Sequence, residues 1–180
     1  GAALKKVRRE MASRFPRSSV GRAARRALGK SPGLSPAQWL RMAKVLFRFH
    51  SHKRCLSALG EALKGMKEGD ERRCEVEVLW SRTLEKMKRK AEAWTHFSRA
   101  LACQGESLAI ATFSGGRNRL RAGAFEEADR LLSLHISTFP DRSTCDDATV
   151  LLAEARRGAG VSAADVDGLL LDQLGRWPDG

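Results

Sequence analysis

The sequence predicts an all-α fold: a short α-solenoid of about four antiparallel helical hairpins in residues 35–180, preceded by an extended basic N-terminal arm and linker in residues 1–34. Three observations lead there. Apolar residues recur at helical spacing in one segment after another. Alanines and turn residues recur at a step of 35 residues. Positive charge collects at one end of the chain, apart from the apolar stripes.

A chain of 180 residues with 42% hydrophobic and 30% charged residues can bury a core without disulfides or metal, which excludes a disordered class. No apolar run approaches the roughly 18 to 20 residues of a membrane span, so none is expected. Cys55, Cys74, Cys103 and Cys145 stand far apart without a C-x-x-C pair and read as reduced core residues of an intracellular protein.

Taken in order, residues 1–30 show little apolar periodicity. Residues 18–28 are consistent with a short helix stopped by Gly29, marginal in water because so short a helix does not offset its nucleation cost. Residues 31–36 (SPGLSP) read as a linker, with Ser35, Pro36 and Gln38 at the N-cap, first-turn and N3 positions of a capping box. Trp39, Met42, Ala43, Leu46 and Phe49 then mark a helix, and Ala58, Leu59, Ala62, Leu63 and Met66 a second, ended by Gly69 and Asp70. Val76, Trp80, Thr83, Leu84 and Met87 form the next stripe, and Ala93, Phe97, Ala100 and Leu101 its partner, closed by Gly105. The following helix is weakened by adjacent Gly115 and Gly116, each costing roughly 1 kcal/mol relative to alanine. Gly123 ends it by taking positive φ, and the helix after it stops at Pro140. Cys145, Ala148, Leu152 and Ala155 mark another, and Ser162 caps a last one carrying Ala163, Val166, Leu170 and Leu174.

Ala58, Ala93, Ala128 and Ala163 lie 35 residues apart, and Asp70, Gly105, Pro140 and Gly175 keep the same step, as do Gly123 and Gly158. The spacing of Ala93, Phe97, Ala100 and Leu101 resembles the second helix of a tetratricopeptide repeat. Gly116, Gly123, Phe125, Ala128, Leu132 and Pro140 fall on that repeat's usual spacing, and the 35-residue step is similar to that of the related pentatricopeptide repeat. The resemblance covers residues 39–177 and is best at 109–142. Lys53 and Lys88 stand where glycine is expected, and Asp167 where a large apolar residue is expected. The bland alternative is an irregular helical bundle.

No catalytic constellation is visible, and neither enzymatic activity nor a cofactor or metal is expected. His50, His52 and Cys55 are the one local group of ligand types, and helical geometry would spread the two histidines about 200° apart. Residues 114–116 faintly suggest a phosphate loop but lack the strand and lysine of one. Glu126 and Glu127 read as solvated charges.

Binding surfaces are more informative. Lys5, Lys6, Arg8, Arg9, Arg14, Arg17, Arg22, Arg25, Arg26 and Lys30 face a single acid, Glu10, and supply most of the net charge of +12. Such an arm suits RNA phosphates, or serves as a solubilising or targeting tail. Aligned on the repeated alanines, Arg82 and Arg117 form one row and Lys86, Arg121 and Arg156 another, a concave basic strip for phosphates or an acidic peptide. The resemblance to pentatricopeptide proteins implies a one-base-per-repeat code. Ser114 and Thr149 suit its first position, but Ala109 and Thr144 occupy its second, so sequence-specific reading of single strands is not expected. The asparagines of the carboxylate clamp in chaperone-binding tetratricopeptide domains are absent as well.

The expected function is that of a non-enzymatic scaffold: an RNA-contacting structural subunit of a large ribonucleoprotein such as a mitochondrial ribosome. Its partners would be rRNA along the arm and neighbouring proteins on the helical hairpins. The alternative is a protein-interaction module binding an acidic peptide or helix, for example in an accessory subunit of an organellar membrane complex. The chain begins Gly-Ala-Ala, and a processed start that is rich in arginine and poor in acid suits the mitochondrial matrix; the cytoplasm is the other expectation.

Overall fold

The computed structural model describes residues 1–29 and 33–176; Lys30, Ser31, Pro32, Trp177 and the side chain of Leu174 lie outside that description. All regular structure among the described residues is helical: α1 (Ala2–Arg14), α2 (Ser19–Leu28), α3 (Pro36–Arg48), α4 (His52–Lys64), α5 (Arg72–Lys86), α6 (Lys90–Ala100), α7 (Gly105–Leu120), α8 (Phe125–Thr138), α9 (Cys145–Gly158) and α10 (Ala163–Arg176). They fall into two compact units, Gly1–Arg89 and Lys90–Gly180.

In the first unit α3 and α4 pair, and Trp39, Met42, Ala43 and Leu46 meet Cys55, Ala58, Leu59 and Ala62, with Val76 and Leu79 of α5 completing the core. The Ser35 capping box is formed: Gln38 N donates to Ser35 Oγ at 3.3 Å and Ser35 N to Gln38 Oε1 at 3.0 Å. The N-terminal segment is not the extended arm expected. It is the α1–α2 pair, held on α3, and its burial of Ala12, Ser13, Gly21 and Ala24 supplies the packing that an isolated short helix lacks.

In the second unit α7 pairs with α6 and α8, and α9 with α8 and α10. Gly115 and Gly116 do not break α7. A Cβ on Gly116 would come within 2.7 Å of Leu132 Cγ, so the bare backbone lets α7 and α8 close together, and that packing offsets poor helix propensity. Ala128, Leu132, Ala148, Leu152 and Ala155 form the adjoining core.

The 35-residue step survives in part. The left-handed residues that precede the returning helices are His50, Lys88, Gly123 and Gly160, not Lys53 and Gly158. Lys88 therefore does hold the glycine-like conformation while carrying a side chain, a sparsely populated state for any residue with a Cβ. Five residues on from the first three turns, and six from the last, stand Cys55, Ala93, Ala128 and Val166, all 0% exposed. The buried position thus steps by 38, 35 and 38 residues, and Ala163 is exposed. Asp167 ceases to be anomalous, because Val166 occupies the buried place that the alanine step gave to Ala163.

Cys55 and Cys145 are free and buried, as expected for core thiols.

Candidate nucleic-acid interface

The α1–α2 hairpin is built by one close approach and one latch. Gly21, in the first turn of α2, lies so near the end of α1 that a Cβ there would overlap the Phe15 carbonyl. Ser18 caps α2 by accepting from Gly21 N at 2.9 Å. Glu10, the sole acid of the segment, is the latch. Gln38 Nε2 donates to its Oε1 at 2.8 Å, and Arg41 and Arg14 reach its Oε2 at 2.8 and 3.0 Å. The Gln38 hydrogen bond, opposed by partial desolvation and aided by Arg41 and Arg14, holds the Glu10 carboxyl below its usual range.

With Glu10 committed to folding, the cations of the segment divide. Arg17 donates to the Phe49 carbonyl at 3.0 Å and stacks on that ring at 5.0 Å; Arg25 stacks on Trp39 at 5.0 Å. Arg9 lies against Gly33, and Arg22 donates to the Arg17 carbonyl. Arg14 is consumed by Glu10. Lys5, Lys6 and Arg26 are exposed and Arg8 half-buried, and among the described residues no carboxylate pairs with them. Lys30 lies outside the described residues. On α2, Arg22 and Arg26 stand four residues apart and share one face.

The five residues of the expected concave strip come as two sets. Arg82 and Lys86 lie one turn apart on α5 in the first unit, both exposed, with Arg82 over the Phe47 ring at 5.5 Å. Arg117 and Arg121 are likewise one turn apart at the end of α7, with Arg117 over Phe113 at 5.6 Å. Arg156 does not extend that row. It lies four residues before its turn residue, Gly160, whereas Arg121 lies two before Gly123, and it is bound to Asp129 at 3.1 Å. Its counterpart is Arg119, which the sequence does not single out and which is similarly held by Glu127 at 2.6 Å while stacking on Trp94.

The positions matching a base-reading code face inward. Ser114, Thr149 and Ala109 are buried, and the Thr144 hydroxyl is engaged by His135 Nε2 at 2.8 Å. His50 and His52, expected on opposite sides of one helix, approach with ring centroids 5.8 Å apart because His50 sits in the turn and α4 starts at His52. Burial, then His50 and Lys86, depress the His52 pKa. Cys55 faces elsewhere, toward the Ala43 carbonyl and Thr83, and no group of three or more ligand-type residues forms among those described.

Arg54 is the contact of the N-terminal segment hardest to see in the sequence. Arg54 Nη2 donates to the Pro16 carbonyl at 3.4 Å, and nothing local to α4 reveals that the N-terminal segment docks there. No described helix is long and apolar enough to cross a membrane. Compared with family models, curated proteins and solved structures, the chain matches none.

Proposed function

We propose that the protein is a non-enzymatic, RNA-contacting scaffold of the helical-hairpin type, a structural subunit of a large ribonucleoprotein such as a mitochondrial ribosome, bound to rRNA and neighbouring proteins. The observation that carries this reading is the state of the α1–α2 cations: Lys5, Lys6, Arg8 and Arg26 lack carboxylate partners among the described residues, on a folded hairpin whose only acid is already engaged. Cations left in this state attract a polyanion, and each phosphate bound gains by counterion release. Because the hairpin is folded, the phosphates meet a fixed surface and less ordering entropy opposes binding than on a disordered tail. The inward-facing code positions favour recognition of backbone over bases.

Replacing Lys5, Lys6, Arg8 and Arg26 together by glutamine should weaken binding to single-stranded RNA and flatten the plot of log affinity against log salt by about 0.7 for each phosphate no longer neutralised. Equal affinities for variant and wild type at every salt concentration would refute the reading.

A second reading, a protein-interaction module, is supported by Leu4, Val7 and Phe15, each more than half exposed on or beside α1. Purification of the native protein with and without ribonuclease separates the two: co-purifying rRNA that disappears on digestion belongs to the first, a partner protein retained after digestion to the second.

A further inference from the structure

Between α2, α3 and α4 of the first unit lies a pocket of about 90 Å³ lined by Arg25, Trp39, Met42, Leu46, Arg54, Ser57 and Ala58. Two guanidinium groups meet there and, among the described residues, no carboxylate lines it. Their internal hydrogen bonds are poor: Arg25 Nη1 faces the Met42 thioether at 3.8 Å, a weak acceptor, and Arg54 reaches the Pro16 carbonyl at 3.4 Å. Each guanidinium carries five N–H donors, so most remain available. Burial and the neighbouring Arg54 charge both disfavour a charged Arg25. The carboxylate that Arg25 feels most is Glu61, which is outside the lining and engaged by Lys64 at 2.8 Å.

Like charges held together around a half-buried space are relieved by an anion, and planar N–H forks are matched to tetrahedral oxyanions. The small volume admits one such group, with Ser57 adding a hydroxyl at the rim. We propose that Arg25 and Arg54, with Ser57, form a binding site for a single phosphate group, supplied by an RNA backbone or as free phosphate. The site deepens the RNA reading if RNA supplies the group and stands without it if free phosphate does.

The test uses the full chain with inorganic phosphate against sodium chloride at equal ionic strength, read by calorimetric titration and thermal shift. Arg54→Gln should weaken phosphate binding about tenfold, the loss expected for one charge-assisted hydrogen bond. Lys67→Gln, which removes one charge from an exposed position of the same unit outside the pocket, should leave phosphate affinity at the wild-type value. Arg25→Gln risks disturbing Trp39 and Met42, so exposed Arg54 is the deciding position. If Arg54→Gln also weakens RNA binding and phosphate competes with RNA, RNA supplies the group. If it abolishes the phosphate response but leaves RNA binding intact, the site takes free phosphate. The proposal is overturned if phosphate and chloride act alike on the wild type, or if Arg54→Gln binds phosphate as the wild type does. Failure here, with the four-site glutamine variant still impaired in RNA binding, removes the pocket and leaves the proposed function standing.

Discussion

His135 shows how one side chain ties three segments of the second unit together. It is 1% exposed, with Nδ1 3.0 Å from the Thr112 hydroxyl and Nε2 2.8 Å from that of Thr144. Thr112 has one hydroxyl proton, which it donates to the Leu108 carbonyl at 2.9 Å, so it accepts from Nδ1–H. Nε2 then accepts from Thr144. The network thereby assigns the neutral Nδ1–H tautomer, wedged between Phe113 and Phe139 with centroid distances of 5.4 and 5.6 Å. Replacing Thr112 by valine keeps the shape but removes one buried hydrogen-bond partner of His135, which also bonds the Ala109 backbone, and should cost about 0.5–1.5 kcal/mol. Urea denaturation checks this, and a midpoint unchanged from wild type would show that the bond is dispensable. The sequence marks His135 only as an isolated histidine, because both its partners come from other segments.

At the level of the element, the α1–α2 hairpin depends on Gly21. Alanine there would improve helix propensity by about 1 kcal/mol, which for an exposed site would stabilise. Here the added Cβ meets backbone, the Phe15 carbonyl, which cannot rotate away. Overpacking of this kind costs about 1–3 kcal/mol, so the balance should favour an opened hairpin. Limited proteolysis of Gly21→Ala should release the first helix faster than from wild type; equal cleavage rates would show that the close approach does not hold the hairpin. Helix positions are legible because capping residues and apolar stripes are local signals: Ser35 with Gln38, and Leu46 within α3. The fold of the basic segment is not, because its partners Gln38, Arg41, Phe49 and Arg54 are distant in sequence and α1 has a stripe too exposed to announce burial. The 35-residue step misleads for a related reason. Alanine is frequent in helices, so Ala58 and Ala163 mimic a register that left-handed His50 and Gly160 actually set elsewhere.

For the whole molecule, the two units carry their titratable latches at different pH. His135 in the second unit has a pKa lowered chiefly by burial, with the Arg142 charge adding to it. The unfolded chain takes up a proton as pH falls through the usual value of 6.5, while the folded unit does not until its lower value is reached. Stability from neutral His135 is therefore complete above 6.5 and drains away below it. His52 in the first unit has the same sign but is only partly buried. Glu10 has the same sign over a lower range: its pKa is depressed from 4.5, so its contribution is present above that value and lost as pH falls through the folded one. Between about pH 6.5 and 5 the second unit should loosen first while the Glu10 latch on α1 persists. Amide hydrogen exchange across this range, compared for wild type and His135→Gln, reads the effect directly. Protection in α7, α8 and α9 should fall with acid in the wild type and lose most of that dependence in the variant, whereas α1 keeps its protection in both. Equal acid sensitivity of the two proteins in α7–α9 would mean that some group other than His135 sets the acid limit of this unit.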